Sequence, residues 1–254
     1  MMATSLSLGG VMTRNRRCQT LTLFGGSLLT ICLAPVQAQS QNTALIPAPF
    51  QEQRHEGFLE IARGGDIDCL LMGDSITDWW ARSGEAVYEE NFGSLKCANF
   101  GIAADRTQGV LWRFENGELD GYTPRVMMLM IGTNNLRFRG PPNTPEEISM
   151  AIAAIVTRFR AKFPEAKVLL LGIFPRGAEA TDPLREPIRQ INNIIATLDD
   201  GEYVRYMDIG DQFLESDGSI SVEVMADALH PTERGYQIWA DAVMPTFREL
   251  LGRN

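Results

Sequence analysis

The sequence predicts an α/β chain with a parallel sheet covered by helices on both faces, and two observations carry that reading. From about residue 50 onward, short apolar runs alternate with longer amphipathic stretches, and the polar clusters that could do chemistry fall just after the apolar runs. The first pattern is that of strands buried on both faces and joined by crossover helices. The second marks the place where open α/β sheets bind ligands, beyond the carboxyl ends of the strands. A chain of 254 residues, 44% of them hydrophobic, can bury one sizeable core, and no composition break, internal repeat or low-complexity tract marks a second domain.

Taken in order, residues 1–38 read as a signal peptide. Arg14, Arg16 and Arg17 precede an apolar stretch from Leu21 to Leu33, which ends in Val36-Gln37-Ala38, a small-residue cleavage site. The stretch is short for a membrane span, and the Arg16-Arg17 pair also allows a twin-arginine route. A lipoprotein site at Cys32 fits less well, because the bulky Ile31 precedes it. Cleavage after Ala38 would remove three arginines and no acid, taking the formal charge from −9 to −12. Such an acidic exported chain is a poor partner for nucleic acid or for an anionic membrane surface, and no stable membrane insertion is expected once the signal is gone.

Residues 39–49, polar and then proline-punctuated, read as a linker or N-terminal arm, with one domain over 50–254. The stretch around His55 reads as an amphipathic helix with Phe58, Leu59 and Ile61 on its apolar side, which makes that histidine a surface or packing residue. Strands are expected over 68–72, 96–100, 126–131, 167–173 and 203–209. The methionines at 127, 128 and 130 then belong to strand core. Thr144, Pro145 and Glu147 form a capping-box start for a helix whose apolar positions Ile148, Ile152, Ile155, Phe159 and Phe163 recur at helical spacing up to Pro164. A last helix runs from Thr232 to Leu251, and Pro245 should kink or split it. Cys69 and Cys97 both sit in strand-like runs and are expected as buried free thiols rather than a disulfide. No Cys or His spacing suggests a zinc site.

Polar clusters follow four of these runs: Gly73-Asp74-Ser75, Asn99-Phe100-Gly101, Gly132-Thr133-Asn134-Asn135 and, further on, Asp227-Ala228-Leu229-His230. Together they hold the parts of a serine hydrolase. A hydroxyl is a weak nucleophile that needs a neutral imidazole beside it. Only two histidines are present, and His230 alone lies in such a cluster. Asp227 is placed to hold its ring in the tautomer that presents Nε2 to Ser75. The Ser75 and Gly101 amides and the Asn134 side chain can supply oxyanion donors, Gly101 having no side chain in the way, and Gly73 permits a tight turn before the serine. Each residue also has a plainer reading: Ser75 and His230 as helix caps, Asn134 as a turn residue, Asp227 as an acid near a helix start.

The four blocks, in order, resemble those of the SGNH, or GDSL, hydrolase superfamily. Longer stretches, "GDSITDWW", "NFGIAADRTQGVLWRFENGEL", "MIGTNN", "FPRG" and "LHPTERGY", resemble the branch holding the catalytic subunits of platelet-activating-factor acetylhydrolase and bacterial exported esterases, over roughly residues 54–250. The resemblance implies a flavodoxin-like α/β/α fold with strand order 2-1-3-4-5, no cofactor, and ester hydrolysis through an acyl-serine. It gives Ser75 as nucleophile, Asp227 and His230 as the rest of the triad, and Ser75, Gly101 and Asn134 as oxyanion hole. Some relatives pair, so a homodimer is allowed. One departure is Ile102-Ala103-Ala104 before Asp105, where relatives commonly carry glycines.

The expected activity is that of an exported esterase removing a short acyl group, acetyl first, from a small-molecule or polysaccharide ester. A phospholipid acetylhydrolase or lysophospholipase, and an acyltransferase using the same acyl-serine, are the alternatives. A non-catalytic carbohydrate-binding protein is a third reading, disfavoured by the intact Ser75, Asn134 and His230. One of Trp79 and Trp80 is expected in the core and the other at the substrate cleft. Asp105 and Arg106 are expected to tie the loop after Gly101 to the next helix, with Arg176 doing a similar task near the fourth strand.

Overall fold

The computed structural model describes residues 41–252. The signal-peptide reading of residues 1–38 lies outside the described residues. Five strands, β1 (Cys69–Gly73), β2 (Cys97–Asn99), β3 (Val126–Met130), β4 (Lys167–Leu171) and β5 (Val204–Met207), form one parallel sheet in the order β2-β1-β3-β4-β5. Every predicted strand is present, most of them shorter than the apolar run that announced it. Ile131 and Ile173 are buried but lie past the paired residues, because burial continues where the ladder has stopped.

Eight α-helices lie among the described residues: α1 (Glu52–Arg63), α2 (Ser75–Asp78), α3 (Glu85–Phe92), α4 (Thr107–Glu115), α5 (Thr133–Arg137), α6 (Pro145–Lys162), α7 (Arg185–Ile195) and α8 (Glu233–Leu251). Alternate strand residues serve opposite faces. Leu70, Met72, Met127 and Leu129 pack with apolar residues of α1, α4, α6 and α7. Leu71, Met128 and Met130 pack with those of α3 and α8. This is the expected three-layer arrangement.

The capping box of α6 is complete, with Thr144 accepting from the Glu147 N–H while Glu147 accepts from the Thr144 N–H; a cap of this kind stabilises by about 1 kcal/mol. Helix α8 carries Tyr236, Trp239, Ala240, Val243, Phe247 and Leu251 on one buried stripe. It is not split at Pro245. The proline removes one backbone bond, but buried residues on both sides of it hold the helix to the sheet.

Two further expectations are corrected. Cys69 and Cys97 form a disulfide, not free thiols. They are register partners in the β1·β2 ladder, and partners in a parallel pair project from the same face. Residues 42–49 lie against the domain as an arm. Thr43–Leu45 makes a single 3₁₀ turn, the Ala44 carbonyl accepts from the Thr107 hydroxyl at 2.9 Å, and the Thr43 hydroxyl accepts from Asn143 at 2.8 Å. The second correction is Ile61, expected on the apolar side of α1 but half exposed; His55 is buried, as a packing residue would be.

Candidate active site

Strand β1 is buried along its whole length and ends at Gly73. Asp74 is the N-cap of α2, its Oδ1 accepting from the Ile76 N–H at 3.0 Å, so Ser75 is the first helical residue and its hydroxyl is free of capping duty. Gly73 is not needed for a left-handed turn, as its φ is not positive. A side chain there would overlap the Thr77 hydroxyl and the Met130 carbonyl, so the glycine lets α2 and β3 close around the serine. Burial pushes the Asp74 carboxyl up to about 7, against the Ile76 hydrogen bond that favours its charged form; nearby Asp105 adds to the rise.

His230 Nε2 lies 2.9 Å from Ser75 Oγ, and its Nδ1 lies 2.6 Å from Asp227 Oδ2. A carboxylate only accepts, so Nδ1 carries the proton and Nε2 is left to accept from the serine. Asp227 does more than orient the ring. Its Oδ1 also accepts from the backbone N–H of Leu229 at 3.1 Å and of His230 at 2.8 Å, closing the turn around Ala228, which has a left-handed φ of 57°. Partial burial works against the charge on Asp227, but these bonds hold its carboxyl below the ordinary carboxylate range. The three residues that sequence reading grouped lie together in the fold, 155 positions apart at the longest link.

The oxyanion candidates are less simply disposed. The first N–H groups of a helix lack intrahelical partners, which leaves the Ser75 amide available. Asn134, on α5 and buried, donates one amide hydrogen to the Asp105 carbonyl at 2.9 Å and keeps a second. Gly101 departs from expectation. A side chain at that position would overlap the backbone of Thr77 and Asp78, so the glycine is required by close packing against α2. Its N–H, expected to be free, donates to Asn99 Oδ1 at 2.9 Å.

Behind these donors is a charge cluster that sequence reading missed. Arg113 on α4, fully buried, donates to the Phe100 carbonyl at 3.1 Å and pairs with Asp105 at 3.0 Å and with Glu118. His55 extends it, its two ring nitrogens facing Glu118 at 3.2 Å and the Asn116 carbonyl at 3.1 Å. The Arg113 guanidinium therefore grips both ends of the loop that carries Gly101. Burial raises the Asp105 carboxyl to about 6 against the pull of Arg113, with Glu118 adding to the rise. Arg106 ties the same loop to α5 and to the loop that leads into α6, donating to Asn135 O, Pro141 O and Asn143 Oδ1, and Arg176 donates to Thr133 Oγ1 at 3.2 Å. Ala104 sits at φ 68°, a left-handed conformation that a glycine would adopt without the clash of a Cβ.

Trp80 is core, as one of the pair was expected to be. Trp79 is partly exposed, but one of its faces is covered by the His230 ring. A cavity of about 160 Å³ lies between the arm at Ala48–Phe50 and the Ala104–Arg106 loop, with Arg139 on its rim. A larger one, about 490 Å³ and lined by Tyr122, Phe163 and Lys162, opens near the starts of β3 and β4, away from the serine. No group of three or more His, Cys, Asp or Glu residues able to hold a metal occurs among the described residues.

Residues 71–238, from within β1 to the first turns of α8, match the GDSL-like lipase/acylhydrolase family. The chain belongs to that family. This GDSL acylhydrolase is a carboxylic ester hydrolase. It is 34% identical to the human platelet-activating factor acetylhydrolase IB subunit alpha1 over 223 residues, 84% of this chain and 93% of the relative. It is 37% identical to the rat alpha2 subunit over 184 residues, 72% and 77% of the two chains. Its fold resembles that of a GDSL-like lipase from Bacteroides thetaiotaomicron, with a TM-score of 0.62 and 18% identity over 77% of this chain and 97% of the other. An acetylxylan esterase from Geobacillus stearothermophilus has a TM-score of 0.57 and 16% identity, over 75% and 96%. In chemical terms the site can attack an ester carbonyl with a hydroxyl whose proton has somewhere to go, and receive the negative charge that forms on the carbonyl oxygen.

Proposed function

We propose that this GDSL acylhydrolase is an exported serine esterase that removes short acyl groups, acetyl in the first place, from oxygen esters on carbohydrate. The observation that carries the reading is the unbroken hydrogen-bonded line from Ser75 Oγ through His230 to Asp227. Ser75 attacks the ester carbonyl as His230 Nε2 takes its proton; the imidazolium is stabilised by Asp227. The oxyanion is received by the Ser75 N–H and the second amide hydrogen of Asn134. The Gly101 N–H joins them when Asn99 shares it. His230 then gives the proton to the leaving alcohol, and a water activated by the same ring releases the acid and restores Ser75.

The curated relatives are named as acetylhydrolases, which supports acetyl as the acyl group. Export is supported by the basic and apolar pattern of residues 1–38 and by the Cys69–Cys97 disulfide, a bond that persists in oxidising compartments. An exported acetylesterase meets acetylated polysaccharide. The second reading, an acetylated phospholipid, draws on the 34–37% identity to the platelet-activating factor subunits.

The test is hydrolysis of 4-nitrophenyl esters from acetate to octanoate by the protein and by Ser75→Ala. Turnover that is fastest on acetate, falls with chain length and vanishes in the variant is expected. Preference for octanoate would remove the short-acyl reading, and equal turnover by Ser75→Ala would remove the mechanism.

A further inference from the structure

Trp79 stands directly after α2, and its indole lies against the His230 imidazole with ring centroids 4.0 Å apart and planes 20° from parallel. Arg82 also lies against the indole, its guanidinium carbon 5.8 Å from the ring centroid and its Nη2 3.6 Å from Asp78. The indole N–H is buried and has no hydrogen-bond partner among the described residues. A buried tryptophan usually finds one. What the side chain offers the site is therefore its face, and that face is given to the base.

The stack gains strength during the reaction. A neutral imidazole on an indole face is held by dispersion and ring electrostatics. Once the ring takes the Ser75 proton it is a cation lying on the negative face of a π system, and the attraction grows. An interaction stronger in the transition state than in the resting enzyme raises kcat rather than tightening substrate binding. Arg82 opposes this only weakly, being more distant and 64% exposed at its side chain. Asp227 holds the ring at Nδ1 and Ser75 meets it at Nε2; two bonds at opposite edges leave the ring free to rotate about the line that joins them. The indole plane removes that freedom.

We infer that Trp79 is a positioning residue that holds the His230 ring in its attacking orientation and stabilises its cationic form, acting on kcat. This rests on the serine-esterase reading for its kinetic part, whereas the stack itself can be read without catalysis. With only two histidines in the chain, the His230 ring protons are readily assigned by NMR. They should be shielded by the indole. In Trp79→Leu they should move downfield, with kcat on 4-nitrophenyl acetate falling roughly three- to tenfold, the size of an aromatic stacking contribution expressed as a rate ratio, and KM little changed. Trp79→Phe, which keeps an aromatic face, should retain most of both the shielding and the rate. Unshifted His230 protons in Trp79→Leu would overturn the stack. Equal losses in the Leu and Phe variants, or a loss confined to KM, would overturn the positioning role. Should Trp79→Leu fail to fold, Trp79→Phe and Trp79→Tyr decide the matter, since a rate that does not follow the His230 shielding across them contradicts the inference. A wild-type protein without esterase activity would instead strike the proposed function, with the NMR arm still testing the contact.

Discussion

The base and the oxyanion donors are anchored in different ways. His230 rides on a loop between β5 and α8 and is steered by Asp227, whose side chain is 55% exposed. Asn134 and Gly101 are backed by Asp105, Arg113 and Glu118, none of them more than 1% exposed at the side chain. The contrast follows the chemistry. A base must accept and return a proton, and a loop closed by a few local hydrogen bonds permits small adjustments. Oxyanion donors work by being already aimed, and a buried, mutually satisfied cluster keeps them so without reorganisation. Substitutions on the base side should therefore act on rate, and those in the cluster on stability as well.

The largest effect is expected from His230→Ala, with kcat lowered roughly 10⁴-fold or more while the urea midpoint barely moves; a large loss of stability would erase the contrast. Next comes Arg113→Met, which takes the buried guanidinium from two buried carboxylates, leaving Glu118 to His55 and Asp105 to the Arg106 N–H. It should cost about 3–5 kcal/mol in urea unfolding, and a loss below about 1 kcal/mol would show that the cluster is not what holds this region. Asn134→Ala should lower kcat roughly 10²- to 10³-fold with KM little changed, and a change confined to KM would remove it from the oxyanion hole.

A pH test sharpens the electrostatic side of the comparison. Asp74 is raised from 3.8 to about 7, chiefly by burial. The folded protein therefore keeps a proton that the unfolded chain has lost, and the stability this confers is complete below the unfolded value and lost as pH rises through the folded one. Asp74→Asn keeps the oxygen that caps Ile76 and removes the titration. Relative to the variant, the wild type should lose stability between about pH 4 and pH 7; parallel curves in urea unfolding would contradict this. The smallest effect concerns Ala104. Relieving its left-handed φ with Ala104→Gly should add up to about 1 kcal/mol, and a loss on thermal unfolding would mean that its methyl group packs more favourably than its backbone is strained.

Much of this was legible along the chain. The strands, the α6 capping box and the four clusters at strand ends depend on local pattern, and the strand-end rule gathers Ser75, Gly101, Asn134, Asp227 and His230 without reference to distance. What escaped depends on register and on partners far apart in sequence. Cys69 and Cys97 read as separate apolar runs until the β1·β2 ladder sets them opposite each other. Arg113 looks like one more charge on an amphipathic helix, and only the fold brings Asp105, Glu118 and His55 around it. The bond from Gly101 to Asn99 spans two residues, yet it turns on a side-chain rotation that no pattern encodes.

The central claim is that Ser75 becomes the acyl carrier with His230 as its base. Treating the protein with a fluorophosphonate, which labels activated serines, and mapping the adduct by peptide mass tests it most directly. The account predicts one adduct, on Ser75, with labelling slowed strongly in His230→Ala and absent in Ser75→Ala. An adduct on another residue, or labelling of Ser75 at an unchanged rate without His230, would contradict it.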